Sequence, residues 1–425
     1  MHLTETYQPT KDFAAEMDAT DPLRAFRDQF YIPTKNGTHI AYFCGNSLGL
    51  QPKTAEAHIH EVLNSWKTLA VDGHFRGDNP WMTYHEQMAA PLARIVGAQP
   101  SEVTVMNTLT VNLHLLMVSF YRPTKQRYKI MIEEGAFPSD QYAVKSQLRF
   151  HGFDDKEGLI ELKRTAGDIL KTEDILQCID DHKDEIALIL LGGINYYTGQ
   201  VFDMEAITRK GHEAGCVVGL DLAHAAGNVP LNLHAWDVDF AAWCTYKYLN
   251  SGPGGISACY VHERYSKRTD IPRFEGWWGH EKATRFLMGP DFVPEAGADG
   301  WQTGNLPIML LASLKASLEI FDRATLPALR EKSLRLTGYL EYLLEQIPDE
   351  RVQVITPKDP AQRGCQLSIR VKGPGKKLFY ALEEKGILGD WREPDVIRIS
   401  PVPLYNSFGD VFYFTETLKE VLTLM

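Results

Sequence analysis

CVVGLD (216–221) is the stretch that decides the fold, because it has the character of a buried strand that ends in a carboxylate. Continuous apolar, β-branched runs are typical of strands that are covered on both faces of a parallel sheet. A second run, DFAAWC (239–244), leads into Thr245-Tyr246-Lys247. The carboxyl ends of parallel strands lie at one edge of a sheet, where open α/β folds bind ligands. We therefore expect Asp221 and Lys247 to meet at this edge.

Short apolar runs alternate with amphipathic segments through most of the chain. Further apolar runs are residues 103–106, 129–132 and 186–191. Amphipathic segments are residues 140–150, 172–183 and 204–214. Such alternation is typical of βαβ units, so we predict an α/β protein with a doubly wound, mainly parallel sheet and helices on both faces.

The pattern changes after Pro307. Two long helical stretches come first, then two short strand candidates and a closing helix, at residues 308–323, 326–344, 365–371, 396–400 and 410–422. This order predicts a smaller α+β domain. We predict three parts: an N-terminal segment (1–44) that packs with the small domain, a large domain (45–306) and a small C-terminal domain (307–425).

Composition favours an enzyme of the cytoplasm. The chain has 425 residues, 44% of them hydrophobic, which is enough for a large core, and a net charge of -11 that argues against nucleic acid as a partner. The six cysteines lack CxxC spacing, so we expect reduced thiols and no metal site. Neither a signal-peptide pattern nor an apolar run long enough for a membrane span is visible, so we expect no membrane association.

The combination of Asp221 and Lys247 indicates a cofactor. A pyridoxal phosphate (PLP) enzyme holds its cofactor on a lysine as a Schiff base, and a carboxylate keeps the pyridine nitrogen protonated so that the ring withdraws electrons. Alternatively, Asp221 is an ordinary helix N-cap and Lys247 a surface residue. Because both follow buried runs that end at one sheet edge, we favour the PLP interpretation.

Two further segments match what a PLP site needs. Leu109 and Thr110 open a helix after a strand, so backbone N–H groups there can receive the phosphate; the alternative is a common N-cap. Phe137 can stack on the pyridine ring and Asp140 can bond a ring substituent, unless both belong to a capped helix start with Phe137 as a hydrophobic staple.

Two polar residues beside the proposed pair have open roles. His224 either contacts the cofactor and orients Asp221, or is structural. Tyr246 either binds phosphate or acts as a general acid, or it is simply a half-buried tyrosine.

Seven strings that span most of the chain resemble those of the kynureninase family. They are GNSLGLQP (45–52), FPSD (137–140), YYTGQ (196–200), DLAHA (221–225), YKYLN (246–250), GWWGH (276–280) and PVPLYN (401–406). The resemblance implies PLP fold type I (the aspartate-aminotransferase fold) and a homodimer with shared active sites. It also implies hydrolysis of the small amino acids L-kynurenine or 3-hydroxy-L-kynurenine to an anthranilate and L-alanine, in tryptophan catabolism and NAD biosynthesis.

The resemblance also assigns roles by position. It implies that Lys247 holds the cofactor, that Asp221 partners the pyridine nitrogen and that Tyr246 handles protons. Cofactor contacts are implied for Leu109, Thr110, Phe137, Asp140, His224, Tyr246, Trp277 and Asn305, with Trp277 and Asn305 approaching from the same or the second subunit. Substrate contacts are implied for Ser47, His74, Asn305 and Arg398, with Arg398 on the carboxylate. Gly192 departs from the family, because some relatives carry serine there.

The sequence allows two substrates and more than one function. His74 and Asn305 both donate and accept hydrogen bonds, which favours 3-hydroxykynurenine over kynurenine unless His74 only packs on the aryl ring. Another fold type I enzyme, such as an aminotransferase or a cysteine desulfurase, would keep Asp221 and Lys247, and a desulfurase would use a mobile cysteine, with Cys365 the nearest candidate. A degenerate PLP-fold binding module would have lost one of the pair, and both are present.

Overall fold

The computed structural model describes residues 7–165, 167–373 and 375–425, so residues 1–6 of the predicted N-terminal segment lie outside the described residues. Within these ranges the strands are β1 (Thr34–Lys35), β2 (Thr38–His39), β3 (Ala41–Tyr42), β4 (Val103–Val105), β5 (Lys129–Glu133), β6 (Leu159–Leu162), β7 (Ile186–Gly192), β8 (Val217–Asp221), β9 (Phe240–Trp243), β10 (Ala258–Val261), β11 (Val352–Val354), β12 (Leu367–Val371), β13 (Ile387–Leu388), β14 (Asp390–Arg392) and β15 (Val396–Ile399). The helices are α1 (Lys11–Ala19), α2 (Ala55–Leu69), α3 (Glu86–Val96), α4 (Leu109–Phe120), α5 (Pro138–Phe150), α6 (Asp155–Gly158), α7 (Thr172–Asp181), α8 (Met204–Glu213), α9 (Ile308–Ala324), α10 (Leu326–Glu345), α11 (Lys376–Glu384) and α12 (Phe408–Thr423).

A mainly parallel sheet forms the larger part of the fold. Its strand order is β4-β10-β9-β8-β7-β5-β6, and only β10 runs antiparallel to its neighbours, β4 and β9. The predicted α/β class is therefore confirmed. Sequence analysis missed β6, because its LIEL sequence at the edge of the sheet is only partly buried and lacks the continuous apolar character of the central strands.

Helices cover both faces of this sheet. Successive residues of β5 point to opposite faces: Ile130 and Ile132 belong to one hydrophobic core, whereas Met131 belongs to another. The second core also contains Ile175 of α7 and Ile207 of α8. The sheet is thus doubly wound, as the alternation of apolar and amphipathic segments predicted.

A second, antiparallel sheet lies nearer the C-terminus, with the order β11-β12-β15-β14. Its core joins Ile369 and Ile397 to Phe414 of α12, and it includes Met17 of α1, so the N-terminal helix packs with this part of the chain. Leu311 of α9 belongs instead to the core of the large sheet. The domain boundaries proposed from the sequence stay a prediction. Within the described ranges, no helix combines the length and apolar character that a membrane crossing requires.

The large sheet sets the position of the candidate site. Glu133, Gly192 and Asp221 are the last residues of the neighbouring strands β5, β7 and β8, and Gly192 pairs in register with Asp221. Lys247 follows the next strand, β9, after a turn of three residues. Because these strands are parallel, all four residues lie at one edge of the sheet, as predicted for Asp221 and Lys247.

Candidate active site

A cavity of about 540 Å³ lies at this edge. Ten of the residues proposed from the sequence line it: Ser47, Leu109, Thr110, Phe137, Asp140, Asp221, His224, Tyr246, Lys247 and Arg398. The cavity thus brings together groups that are up to 351 residues apart along the chain, as in the contact between Ser47 and Arg398. A volume of this size suits a small-molecule ligand.

The turn that carries the lysine is fixed by a close approach of two backbones. Gly49 donates its N–H to the carbonyl oxygen of Tyr246 at 2.8 Å. A Cβ atom at Gly49 would lie 2.4 Å from the carbonyl oxygen of Lys247 and 2.2 Å from Oδ1 of Asn250, so only glycine fits here. The GNSLG segment is therefore part of what orients Lys247.

The Lys247 amine lies between a histidine and an aromatic ring. Its Nζ atom is 3.0 Å from Nε2 of His224 and 5.8 Å from the centre of the Phe137 ring. Burial, and then the charge of Lys247, hold the pKa of His224 well below its usual range. His224 is therefore neutral, and its Nε2 can accept a hydrogen bond from the lysine amine.

Three buried carboxyl groups form the floor of the cavity: Glu133, Asp140 and Asp221. Asp221 accepts a hydrogen bond from the N–H of Ala223 at 2.7 Å, which stabilises its charge. Burial raises the pKa of Asp221, and burial together with the neighbouring Asp221 raises the pKa of Asp140 well above its usual range. Asp140 therefore keeps its proton and faces an ionised Asp221.

The first turn of α4 also lines the cavity. Thr108, the N-cap residue, lines it together with Leu109 and Thr110. The preceding residue, Asn107, has φ of 47°, a left-handed conformation that asparagine tolerates and that redirects the chain into the helix. The first N–H groups of a helix lack intrahelical partners and attract anions, so this turn can receive a phosphate.

Two arginines, Arg392 and Arg398, also line the cavity, and with Asp390 they form a second charged group, called the arginine end or far end. Arg398 is 1% exposed, and its guanidinium lies 2.8 Å from a carboxylate oxygen of Asp390 and donates to Ser47 Oγ at 3.2 Å. Arg392 also pairs with Asp390, at 3.2 Å. Because β14 pairs with β15, Asp390 lies directly opposite Arg398. Two positive charges share one carboxylate, so this end can bind an anion.

Tyr246 contributes a phenol that keeps its proton. Burial, followed by the neighbouring Cys244, raises the pKa of Tyr246 above its usual value. A protonated phenol at the cavity wall can donate a hydrogen bond or a proton.

Three of the proposed residues lie outside this cavity. Trp277 is 40% exposed, Asn305 is exposed and His74 is partly exposed. His74 packs edge-to-face on Trp81 at 5.0 Å, and its Nδ1 atom lies 3.1 Å from the carbonyl oxygen of Val71. The contacts proposed for Trp277, Asn305 and His74 stay predictions.

Sequence reasoning missed several residues that line the cavity, notably Glu133, Tyr196 and Arg392. Glu133 directly ends an apolar strand, so the rule that led to Asp221 would have found it. Arg392 depends on the pairing of β14 with β15, and Tyr196 contributes its carbonyl oxygen, which accepts from Arg398 at 2.8 Å. Neither of these two features is visible in local sequence.

A separate group of side chains has the composition of a metal site, but ring nitrogens that would bind the metal are already hydrogen-bonded. It consists of Glu102, His234 and His262. Nδ1 of His234 is bonded to Glu102 at 3.0 Å, and Nδ1 of His262 accepts the N–H of Arg264 at 3.1 Å. The sequence-based expectation of no metal site stays a prediction.

The residues of the cavity fit PLP. An amine, a carboxylate at a strand end, a helix start and an aromatic ring are all present, at Lys247, Asp221, Thr108–Thr110 and Phe137. Nδ1 of His224 and Oδ1 of Asp140 are buried and, among the described residues, have no hydrogen-bond partner. Buried polar atoms normally have partners, so these two atoms are suited to a polar ligand.

Solved structures share this fold. An apo cysteine desulfurase from Thermococcus onnurineus has a TM-score of 0.74 at 17% identity, over 91% of this chain and 95% of that one. A C-DES variant with glycine covalently linked to its PLP cofactor has a TM-score of 0.75 at 19% identity, over 93% and 99%. These likenesses define the fold as PLP fold type I, and the lysine-bearing cavity fits the cofactor of that class.

Comparison of sequences identifies the family within that class. Residues 329–418 match the family model described as Kynureninase C-terminal domain. The kynureninase of Koribacter versatilis is 56% identical over 96% of this chain and 97% of its own length, that of Christiangramia forsetii 54% over 97% and 98%, and that of Myxococcus xanthus 55% over 97% and 97%. The chain belongs to the kynureninase family.

Proposed function

We propose that this protein hydrolyses the Cβ–Cγ bond of L-kynurenine, 3-hydroxy-L-kynurenine or both, and releases L-alanine with anthranilate or 3-hydroxyanthranilate. The observation that carries the proposal is one cavity lined by Lys247, Asp221 and Arg398, in a member of the kynureninase family. The reaction would serve tryptophan catabolism, and with the hydroxylated substrate NAD biosynthesis, in the cytoplasm.

The floor of the cavity would hold the cofactor. Lys247 would bind PLP through its amine, Asp221 would keep a proton at the ring nitrogen, and Phe137 would cover the ring. The first turn of α4, with Leu109 and Thr110, would receive the phosphate. When bound, PLP supplies an electron sink for negative charge at the substrate α-carbon.

The arginine end would bind the substrate carboxylate. Arg398 is positioned by Asp390 and by the carbonyl oxygen of Tyr196, so its guanidinium is already oriented before a substrate arrives. Ser47 lies beside it, and Arg392 adds a second positive charge. A carboxylate bound here would direct the rest of the amino acid towards Lys247.

Two residues would move protons in the reaction. The Lys247 amine would remove the proton from the substrate α-carbon, and neutral His224 would accept a hydrogen bond from that amine. Tyr246 would donate its phenolic proton to the substrate β-carbon after the Cβ–Cγ bond is broken. The water consumed would supply the hydroxyl group of the anthranilate carboxyl and return a proton to Tyr246.

A homodimer would complete the site. His74 and Trp277 belong to one exposed aromatic surface, in which Phe286 lies 5.8 Å from Phe75 and 5.3 Å from Trp277. Phe75 is 59% exposed and Met288 is 70% exposed, and exposed apolar surface of this kind marks interaction sites. A second subunit on this surface would bring His74, Trp277 and Asn305 to the neighbouring cavity.

The aryl end of the substrate would then meet His74 and Asn305. A hydrogen bond from either residue to the 3-hydroxyl group would make 3-hydroxykynurenine the preferred substrate. Comparison of kcat/KM for the two substrates, in wild type and His74→Phe, tests this preference. A higher kcat/KM for kynurenine in the wild type would rule it out.

Cysteine desulfuration is the competing function that the structure can address, because it requires a reactive cysteine. Cys365, its nearest candidate nucleophile from the sequence analysis, is 1% exposed, and burial raises the pKa of its thiol to about 11. A buried, protonated thiol is a poor nucleophile, so the structure favours hydrolysis of kynurenine.

The decisive experiment measures anthranilate and 3-hydroxyanthranilate release from the two substrates in parallel, with PLP-loaded wild type and Lys247→Ala. We expect release that is lost in the variant. The protein could instead show the visible absorbance of lysine-bound cofactor but release neither product. That result would support the cofactor site and reject the proposed substrates.

A further inference from the structure

A third carboxyl group lies in the floor of the cavity and has no part in the function proposed above. Glu133 is the last residue of β5, is 4% exposed and lines the cavity together with Asp140 and Asp221. Glutamates are rarely buried unless they are paired with a charged group, so the position of Glu133 is unusual.

The Glu133 carboxyl lies against the end of the neighbouring strand. Its Oε2 atom accepts a hydrogen bond from the N–H of Gly192 at 3.3 Å. Its Oε1 atom would lie 3.0 Å from a Cβ at position 192, so the carboxyl occupies the space beside this glycine. Gly192 pairs in register with Asp221. One strand therefore separates the Glu133 carboxyl from the aspartate that would face the ring nitrogen.

The charged groups that act on Glu133 come from several neighbouring elements. Asp221, on β8, disfavours its ionisation, and Arg164, which follows β6, favours it. Asp140, on α5, is affected in turn, since a charge on Glu133 disfavours ionisation of Asp140. Burial is the largest effect and raises the pKa of Glu133 to about 7. Glu133 is therefore neutral in acid and ionised in alkaline solution.

We propose that Glu133 is a positioning residue that, when ionised, keeps a proton between Asp221 and the ring nitrogen of the bound cofactor. This inference depends on the cofactor site of the proposed function. A negative charge raises the proton affinity of groups near it, and the effect is strong where water is excluded. Glu133 would thus keep the ring nitrogen protonated in alkaline solution.

The test compares Glu133→Gln with the matched control Glu134→Gln. Glutamine keeps an acceptor for the Gly192 N–H but cannot ionise. Glu134 is the next residue in the chain, and it bonds the N–H of Arg164 and the Lys163 amine at the surface. Both variants are loaded with PLP labelled with ¹⁵N at the ring nitrogen, and the chemical shift of that nitrogen is followed as pH rises from about 6 to 10.

We expect Glu133→Gln to match the wild type below about pH 6, where residue 133 is neutral in both proteins. At higher pH its ring nitrogen should lose the proton about one pH unit earlier than in the wild type. Glu134→Gln should follow the wild type throughout.

Two results would overturn the inference. One is superimposable titrations of wild type and Glu133→Gln; the other is an offset that is equal at every pH, which indicates only a packing role.

A second variant serves if Glu133→Gln does not fold. Glu133→Asp places the charge farther from Gly192 and should give a smaller shift in the same direction. No shift would again reject the inference. A wild type without the absorbance of lysine-bound cofactor would instead reject the proposed function.

Discussion

The two ends of the cavity differ in the sign of their buried charges and in how those charges are balanced. The floor contains Glu133, Asp140 and Asp221, with a single lysine amine close by. The far end contains Arg392 and Arg398 with one shared carboxylate.

The difference follows from what each side chain can do with a proton. Carboxyl groups can become neutral, and burial raises the pKa of all three acids in the floor. Arginine stays charged in proteins, so Arg398 needs Asp390 as a permanent partner. The floor is therefore suited to holding and exchanging protons, and the far end to binding an anion. A change at one end should therefore leave the properties of the other end nearly unchanged.

Removal of the negative charge from the floor should have the largest effect. Asp221→Asn keeps the shape of the side chain but loses the charge that would hold a proton at the ring nitrogen. We expect kcat to fall by roughly 10³-fold, with KM changed far less, because the arginine end is intact. Steady-state kinetics of the PLP-loaded variant measure both. A rise in KM of the same size would show that the two ends are not independent.

The reciprocal change at the far end should have a somewhat smaller effect. Arg398→Met removes the guanidinium, and we expect kcat/KM to fall by a few hundred-fold, or about 3 kcal/mol, with the visible spectrum of the bound cofactor unchanged. Arg370→Met is the matched control, because Arg370 lies on the neighbouring strand β12 and pairs with Asp168 outside the cavity. An altered cofactor spectrum in Arg398→Met would contradict the separation of the ends.

The sequence predicted the floor better than the far end. Asp221 and Lys247 follow buried apolar runs, and the geometry of a parallel sheet alone places both at one edge. Arg398 and its partner Asp390 come together through strand pairing, whose register depends on the whole small sheet. Glu133 also ends a buried apolar strand, so the same geometry places it in the floor.

The resemblance to kynureninases supplied residues that local patterns do not reveal. Ser47 and Arg398 line the cavity, whereas His74, Trp277 and Asn305 lie outside it, and the substrate contacts that the resemblance implied for them stay predictions. The exposure of His74, Trp277 and Asn305 in a single chain is what the proposed homodimer requires, because they would act in the cavity of the second subunit.

Tyr246 belongs to neither end and so sharpens the contrast between them. Tyr246→Phe removes only the phenolic oxygen, and we expect kcat to fall by roughly 10²-fold, as for loss of a general acid. The affinity for PLP should change much less, and KM should stay close to that of the wild type. Unchanged turnover, with PLP affinity measured by fluorescence titration as a check, would remove Tyr246 from the proton transfers.

The stability of the cofactor-free protein should show the smallest effect, one that grows as pH rises from 4.5 to about 7 and is then constant. The folded protein holds the Glu133 proton up to a pKa of about 7, whereas the usual value is 4.5, so this group stabilises the fold fully only below pH 4.5 and ceases to do so as pH rises through 7. At pH 8 the cost of the buried charge is about 3 kcal/mol. Glu133→Gln should therefore raise the melting temperature at pH 8 by a few degrees and leave it nearly unchanged at about pH 4. Because arginine has no neutral form in this range, Arg398→Met should show no matching pH dependence, and a similar pH dependence in both variants would end the contrast between the two ends.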